Sequence, residues 1–169
     1  YQMHKAAIYR TVFAITNDRP TAEEILQDTF LRAFKHMERV REDVSMAPWL
    51  YRIAVNLAYD WTAKRKRWLS TINSLIDRVI LTTTISPERS AESREIQELL
   101  YEAINQLEFK QRTTLVLFYL QEFSLAEIAE IMDCPVGTVK SRLHYARDNL
   151  RRELMADKRL PGGLIYEFT

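Results

Sequence analysis

Three observations predict an all-α protein of two small helical domains joined by a linker, the C-terminal one a helix-turn-helix. Glycine is scarce, with 3 in 169 residues, so few positions interrupt a helix. Apolar residues recur at helical rather than alternating spacing over most of the chain. Two boxes of the S/T-x-x-E type, Thr21–Glu24 and Ser124–Glu127, mark helix starts by offering side-chain oxygens to free backbone N–H groups.

Taken in order, His4 to Thr16 reads as a first helix, ended by the turn residues Asn17-Asp18-Arg19-Pro20. The Thr21–Glu24 box then opens a second, running to about Val40, with Ile25, Phe30, Ala33, Phe34 and Met37 at roughly helical spacing. After the polar break Arg41-Glu42-Asp43, Ser45 can cap a third helix with Pro48 tolerated in its first turn, extending to about Trp68. Residues 70–93 are rich in Ser and Thr and contain Pro87, the composition of an interdomain linker. Within it Ile72, Ile76, Val79 and Ile80 continue a helical stripe from Leu69 that could dock on a neighbour.

Further helices are expected at 94–106, 110–121, 125–132 and 136–155. Between the last two lies a tight turn around Asp133-Cys134-Pro135: Pro135 stops the preceding helix, and Gly137 is expected to let the backbone turn tightly into the next. The domains are therefore 1–69 and 94–156, followed by a tail at 157–169 to which the sequence assigns no role. There is no internal repeat.

Composition excludes several classes of function. A 47% hydrophobic content can build a core, yet no apolar run approaches the roughly 18 residues that span a membrane. No signal peptide is visible, so a cytoplasmic protein is the expectation. The chain begins at Tyr1 rather than Met, and a missing N-terminal segment is expected. Cys134 is the single cysteine, which rules out an internal disulfide or a cysteine-rich zinc site. His4, His36 and His144 lie far apart with no metal-ligand spacing, so neither metal nor cofactor is expected. No P-loop, Ser/His/Asp set or paired acids in a plausible cleft is present, and the chain does not read as an enzyme.

The net charge of +1 conceals a strong segregation. Residues 1–70 hold 12 Lys/Arg against 8 Asp/Glu, a net +4. Residues 95–135 hold 2 against 8, a net −6, and residues 136–152 hold 5 against 1, a net +4. Two basic stretches separated by an acidic one suggest local contact with phosphates. Ordinary solvated helix faces are the alternative.

The third helix has two faces. At about 100° per residue, Leu50, Ile53, Ala54, Leu57 and Trp61 share an apolar arc, and Arg52, Asn56, Tyr59 and Ala63 fall opposite. An amide and a guanidinium can hydrogen-bond base edges, an aromatic ring can stack on an unpaired base, and the following Lys64-Arg65-Lys66-Arg67 can hold phosphates. A polar outer face with a basic last turn that complements the helix dipole would look the same.

The last helix divides similarly. Val136, Val139, Leu143, Ala146, Leu150 and Leu154 form a buried arc, and Thr138, Ser141, Arg142, Tyr145 and Arg152 face away, with Lys140 and His144 along the edge. In a helix-turn-helix the N-terminal half of the second helix reaches bases in the major groove. Lys140, Ser141, His144 and Tyr145 are thus candidate base readers, and Thr138, Arg142 and Arg147 candidate phosphate contacts. A helical hairpin that binds only protein is the alternative.

The run IMDCPVGTVKSRLHYAR resembles the promoter-reading helix-turn-helix of extracytoplasmic-function sigma factors, small bacterial members of the sigma-70 family. AEEILQDTFLRAFKHM resembles their polymerase-binding helix, and PWLYRIAVNLAYDWTAKRKR their promoter-melting helix. The three occur in the family's order and cover nearly the whole chain. The resemblance implies that the first domain binds core RNA polymerase and the single-stranded −10 promoter element, and the second the duplex −35 element. It carries the polymerase contact onto Gln27, Asp28, Phe30 and Arg32, capture of a flipped −10 base onto Asn56, and −35 contacts onto Lys140, Ser141, His144 and Tyr145. It also implies an anti-sigma factor as a partner. The sequence departs from the family's commonest pattern at Tyr145, where arginine is frequent, and Tyr145 cannot make a bidentate contact to guanine.

Two other readings stay open on sequence alone. A dimeric DNA-binding regulator would require a palindromic site and no polymerase. A recombinase would require a catalytic domain for which the chain has no room.

Overall fold

The computed structural model describes residues 2–37, 46–73 and 91–157. Seven helices make up these residues: α1 (Gln2–Thr16), α2 (Arg19–His36), α3 (Met46–Asn73), α4 (Ala91–Gln106), α5 (Phe109–Tyr119), α6 (Leu125–Ile131) and α7 (Val136–Ala156). Helix α3 runs past the expected end at Trp68, and α4 begins before residue 94, so both reach into the expected linker. The Ser45 cap, the stripe positions Ile76, Val79 and Ile80, and the tail from residue 158 onward lie outside the described residues.

The second helix starts earlier than the Thr21–Glu24 box suggested. Asp18 is extended and caps α2: its carboxylate accepts the Thr21 N–H at 2.9 Å and also the Thr21 hydroxyl. Pro20 is already in the first turn, where a missing N–H costs nothing and the fixed φ favours the helix. A carboxylate at this end also complements the helix dipole. Thr21 is therefore a buried first-turn residue rather than the cap.

The box at Ser124 forms as expected. The Glu127 N–H donates to the Ser124 hydroxyl oxygen at 3.2 Å, and the Glu127 carboxylate accepts the Ser124 N–H at 2.8 Å. These hydrogen bonds from Ser124 hold the Glu127 carboxyl below its ordinary pKa.

The turn between α6 and α7 falls at Asp133-Cys134-Pro135 as expected, but Gly137 does not supply the bend. Gly137 is the second residue of α7 and has no positive φ; the left-handed residue is Asp133, at φ 50°. The Asp133 N–H donates to Glu130 O at 3.4 Å and the Cys134 N–H to Ala129 O at 3.0 Å, closing α6 with the pair of bonds that follows a left-handed residue. Aspartate tolerates that conformation because its short polar side chain bonds locally. Pro135 then caps α7, its carbonyl accepting from Thr138 and Val139.

Several threonines sit inside helices despite their β-branching. The hydroxyls of Thr11, Thr16, Thr29, Thr113 and Thr114 each donate to the carbonyl four residues earlier, at 2.7–3.0 Å. Buried hydroxyls are thereby satisfied without leaving the helix.

One apolar cluster spans both halves of the chain. Ile8, Val12 and Ile15 of α1, Ile25 of α2 and Leu50, Ala54 and Ala58 of α3 join Leu117, Ile128, Ile131 and Val139 from the C-terminal helices. A second cluster holds α4, α5 and α7 together through Ala103, Leu107, Leu115, Ala146, Leu150 and Leu154. Truncating a fully buried Ile or Leu such as Ile128 or Leu117 to Ala typically costs about 2–5 kcal/mol.

Buried polar groups pin the seam between the halves. Arg112, on α5, donates to Ile15 O at the end of α1 at 2.6 Å, to Asn105 O at 2.8 Å and to Leu107 O at 2.9 Å. Burial lowers its pKa, and three carbonyls replace the water it loses. The Tyr51 hydroxyl donates to Gln121 Oε1 at 2.7 Å, and the Tyr51 ring meets Phe123 edge-to-face at 4.8 Å. Burial raises the Tyr51 pKa.

Two stability effects follow from these contacts. Ser124→Ala removes the cap of α6 and should cost about 1 kcal/mol at neutral pH in urea unfolding. Because the folded-state pKa of Glu127 is depressed, its contribution is complete above the unfolded-state pKa. It is lost as pH falls through the folded value, so the difference between wild type and variant should shrink in acid. Arg112→Lys keeps the charge but cannot reach three divergent carbonyls. It should destabilise by about 1–3 kcal/mol, read as a lower urea midpoint.

Candidate nucleic-acid interface

The polar arc of α3 is where sequence periodicity put it. Arg52, Asn56 and Tyr59 are all exposed, one helical turn apart, and opposite them Leu50, Ala54 and Leu57 are buried. Lys64, Lys66 and Arg67 extend the exposed surface, whereas Arg65 is half-buried with its guanidinium 5.0 Å from the Trp61 ring centroid.

What the sequence could not show is that this face is engaged by the C-terminal half. Arg52 lies 3.3 Å from the carboxylate of Asp133, the turn residue between α6 and α7. Tyr59 meets Phe109 of α5 edge-to-face at 5.3 Å, and the Lys110 ammonium stands 6.0 Å from the Tyr59 ring centroid. Asn56 lies between these two points of contact.

On α7, Val139, Leu143, Ala146, Leu150 and Leu154 are buried as the arc required, but Val136 is 39% exposed. It is the first residue of the helix and projects beyond the packed region at the turn. Lys140, Ser141, His144 and Tyr145 are exposed on the other side, with Thr138 and Arg142 half-buried. The Ser141 hydroxyl donates to Gly137 O at 3.1 Å, and Arg142 donates to Cys134 Sγ at 3.4 Å. His144 Nε2 is 3.4 Å from the Asp148 carboxylate, and the His144 and Tyr145 rings meet at 5.5 Å.

Tyr119, which sequence reasoning did not single out, orients Arg147. The Arg147 Nε–H donates to the Tyr119 hydroxyl at 2.7 Å, and its guanidinium lies 5.5 Å from the Tyr119 ring and 5.7 Å from Phe118. This leaves the two terminal nitrogens of Arg147 for an anion, the planar fork that suits a phosphate.

On α2, Gln27 and Arg32 are exposed and Asp28 is half-buried. Phe30 packs against the core cluster, and the apolar surface is supplied instead by Leu31, Phe34 and Met37, at 59%, 77% and 52% exposure. Their spacing of three residues carries that signal, and Leu31 was the member overlooked.

Known proteins are similar across these same segments. Residues 1–68 match Sigma-70 region 2, and residues 97–150 match Sigma-70, region 4. The chain is 34% identical over 159 residues to the ECF RNA polymerase sigma factor SigW of Bacillus subtilis (strain 168), spanning 90% of this chain and 85% of the relative. It is 31% identical over 158 residues to the ECF RNA polymerase sigma-E factor of Haemophilus influenzae, spanning 89% and 82%. The fold is similar to that of the sigma factor RpoE from Bartonella quintana, solved with the anti-sigma factor NepR. That match has a TM-score of 0.74 at 23% identity, over 93% of this chain and 95% of that one.

Proposed function

We propose that this chain, which belongs to the ECF RNA polymerase sigma factors, directs core polymerase to two-part promoters and assists opening of their −10 region. The observation that carries the reading is the separation of two exposed polar faces on different helices. One is the Arg52–Asn56–Tyr59 arc of α3, and the other is the Lys140–His144 face of α7 behind a capped, Asp133-turned helix pair. A single-site regulator would need only the second.

In this reading α7 enters the major groove of the −35 duplex. Lys140, Ser141, His144 and Tyr145 meet base edges while Thr138, Arg142 and Arg147 hold the backbone. Tyr145 offers a ring and one hydroxyl where a guanidinium would fork onto guanine, which favours apolar contact with a thymine methyl or a single hydrogen bond. Arg52, Asn56 and Tyr59 bind a base that has left the −10 stack, with Lys64, Arg65, Lys66 and Arg67 on the adjacent phosphates. Extruding a base costs a few kcal/mol, so a site that accepts only the flipped form draws the duplex toward melting. Gln27, Asp28, Phe30 and Arg32, with the exposed Leu31 and Phe34 beside them, form the contact with core polymerase. An anti-sigma factor would act by covering this surface. The chain contributes recognition, and nucleotide polymerisation belongs to polymerase.

In-vitro transcription with bacterial core polymerase over a library of two-part promoters tests the whole reading. A palindromic duplex bound without polymerase, and no transcript, would replace it with the regulator.

Two sets of substitutions test the residues. Asn56→Ala should leave the fold and polymerase binding intact, because Asn56 is outside the core, yet reduce −10 opening seen as permanganate-reactive thymines. Unchanged reactivity would remove Asn56 from the site. On α7, Lys140→Ala or His144→Ala should alter base preference at the −35 element, each base contact being worth about 1–3 kcal/mol. Arg142→Ala should weaken all sequences alike and flatten the salt dependence. A selection experiment on randomised −35 duplexes separates the two effects.

A further inference from the structure

We propose that Asp148 is a positioning residue for −35 readout: it occupies the Nε2 edge of His144, so the ring meets DNA through the Nδ1 lone pair and selects a base that carries an exocyclic amine. The inference deepens the assignment of the α7 face given above and rests on it. His144 and Asp148 are one helical turn apart, with His144 Nε2 3.4 Å from the Asp148 carboxylate. A lone pair on Nε2 would face that negative charge, so the neutral ring carries its proton on Nε2 and its lone pair on Nδ1. Nδ1 has no partner among the described residues, and 70% of the His144 side chain is open to solvent. The Tyr145 ring stands against the imidazole at 5.5 Å and 61°, so the ring is flanked by two neighbours on its own helix.

The chemistry of the base follows. In the major groove adenine offers its N6 amine and cytosine its N4 amine, while guanine O6 and N7 only accept. An acceptor at Nδ1 pairs with the amines and is repelled by the guanine edge. Tyr145 adds to the bias, because it lacks the guanidinium fork that takes guanine. Lys140 is then the donor of this face and His144 its acceptor, one turn apart. Asp148 also has a cost, since a carboxylate 56% exposed beside the reading face repels phosphate and weakens binding to every sequence. Rejection of the wrong base is the gain that offsets it.

The full chain with bacterial core polymerase, at pH 8 and on promoters randomised at the −35 element, tests this. That pH lies at the upper end of the range in which histidine usually changes charge. His144→Ala locates the position that His144 reads, where the wild type should favour adenine or cytosine over guanine. Replacing that adenine with purine, or that cytosine with its analogue lacking the N4 amine, should weaken binding about fivefold. Asp148→Ala frees the Nε2–H to turn toward the groove as a donor. The preference for amine over guanine should then fall about threefold to tenfold at that position alone, while affinity for all sequences rises. Asp148→Asn loses the same charge but keeps an oxygen that can accept from Nε2–H, so it should retain the preference. Nitrogen-15 NMR of the free chain should place the His144 proton on Nε2.

A preference unchanged in Asp148→Ala, or lost equally in Asp148→Asn, overturns the proposal, as does a proton on Nδ1. So does an amine preference that survives His144→Ala and vanishes in Asp148→Ala, since the carboxylate itself would then read the base. If His144→Ala alters no position at all, the assignment of His144 to the reading face fails instead, and the proposal falls with it. Both side chains are exposed, and a cooperative melt of each variant shows that the fold is kept.

Discussion

The Tyr51 hydroxyl, buried and donating to Gln121, sits where the N-terminal and C-terminal helices meet, and the register of α3 against α5 and α6 follows from it. A buried phenol without a partner would cost a large part of the stability of so small a protein. The edge of its ring is fixed by Phe123, and the Tyr51–Val55–Ala58 stripe is buried beside it. Arg52, Asn56 and Tyr59 are each one residue further along the chain, turned about 100° around the helix. Whatever docks on the first stripe therefore overhangs the second. That geometric adjacency brings Asp133 to Arg52 and Phe109 to Tyr59.

Legibility in the sequence followed the range of the interactions. Helix number, helix type and the apolar arcs of α3 and α7 could be read because they depend on neighbours three or four residues away. The Ser124–Glu127 box was readable for the same reason. The start of α2 was misread by a few residues because two capping candidates, Asp18 and Thr21, compete within one turn, and only the placement of Pro20 decides between them. The turn at Asp133-Cys134-Pro135 is legible from residue type, but the freedom expected of Gly137 is supplied by Asp133, which takes the positive φ. The seam was invisible for a stronger reason. Tyr51 and Gln121 are 70 residues apart, and Arg112 is 97 from Ile15, so nothing local to either partner marks the pairing.

The same limit applies to the candidate sites. Arg52, Asn56 and Tyr59 were found by period, and their exposure follows from the opposite arc being buried. That two of them are engaged by the other half required the tertiary structure. Tyr119 was missed because an exposed tyrosine at a helix end has no pattern of its own until Arg147 is brought against it. On α2 the resemblance points to Phe30, which is partly buried against the core, whereas the neighbouring Leu31, exposed beside it, carries no signal until the packing is known.

The charge segregation acquires a physical role once the fold is known. Asp133 lies in the acidic stretch, and it faces Arg52 from the basic N-terminal one, so the docked form brings opposite signs together at the surface. That pair is exposed to water, so it contributes little, and what it contributes falls further as salt rises. The apolar cluster behind it does not weaken in this way, since burial of Ile128, Ile131 and Leu117 does not depend on ions. Phosphate binding responds to salt far more steeply than either, because each contact releases counterions. Under the proposed reading, rising salt would therefore weaken a phosphate held at Arg52 while leaving the apolar seam nearly intact.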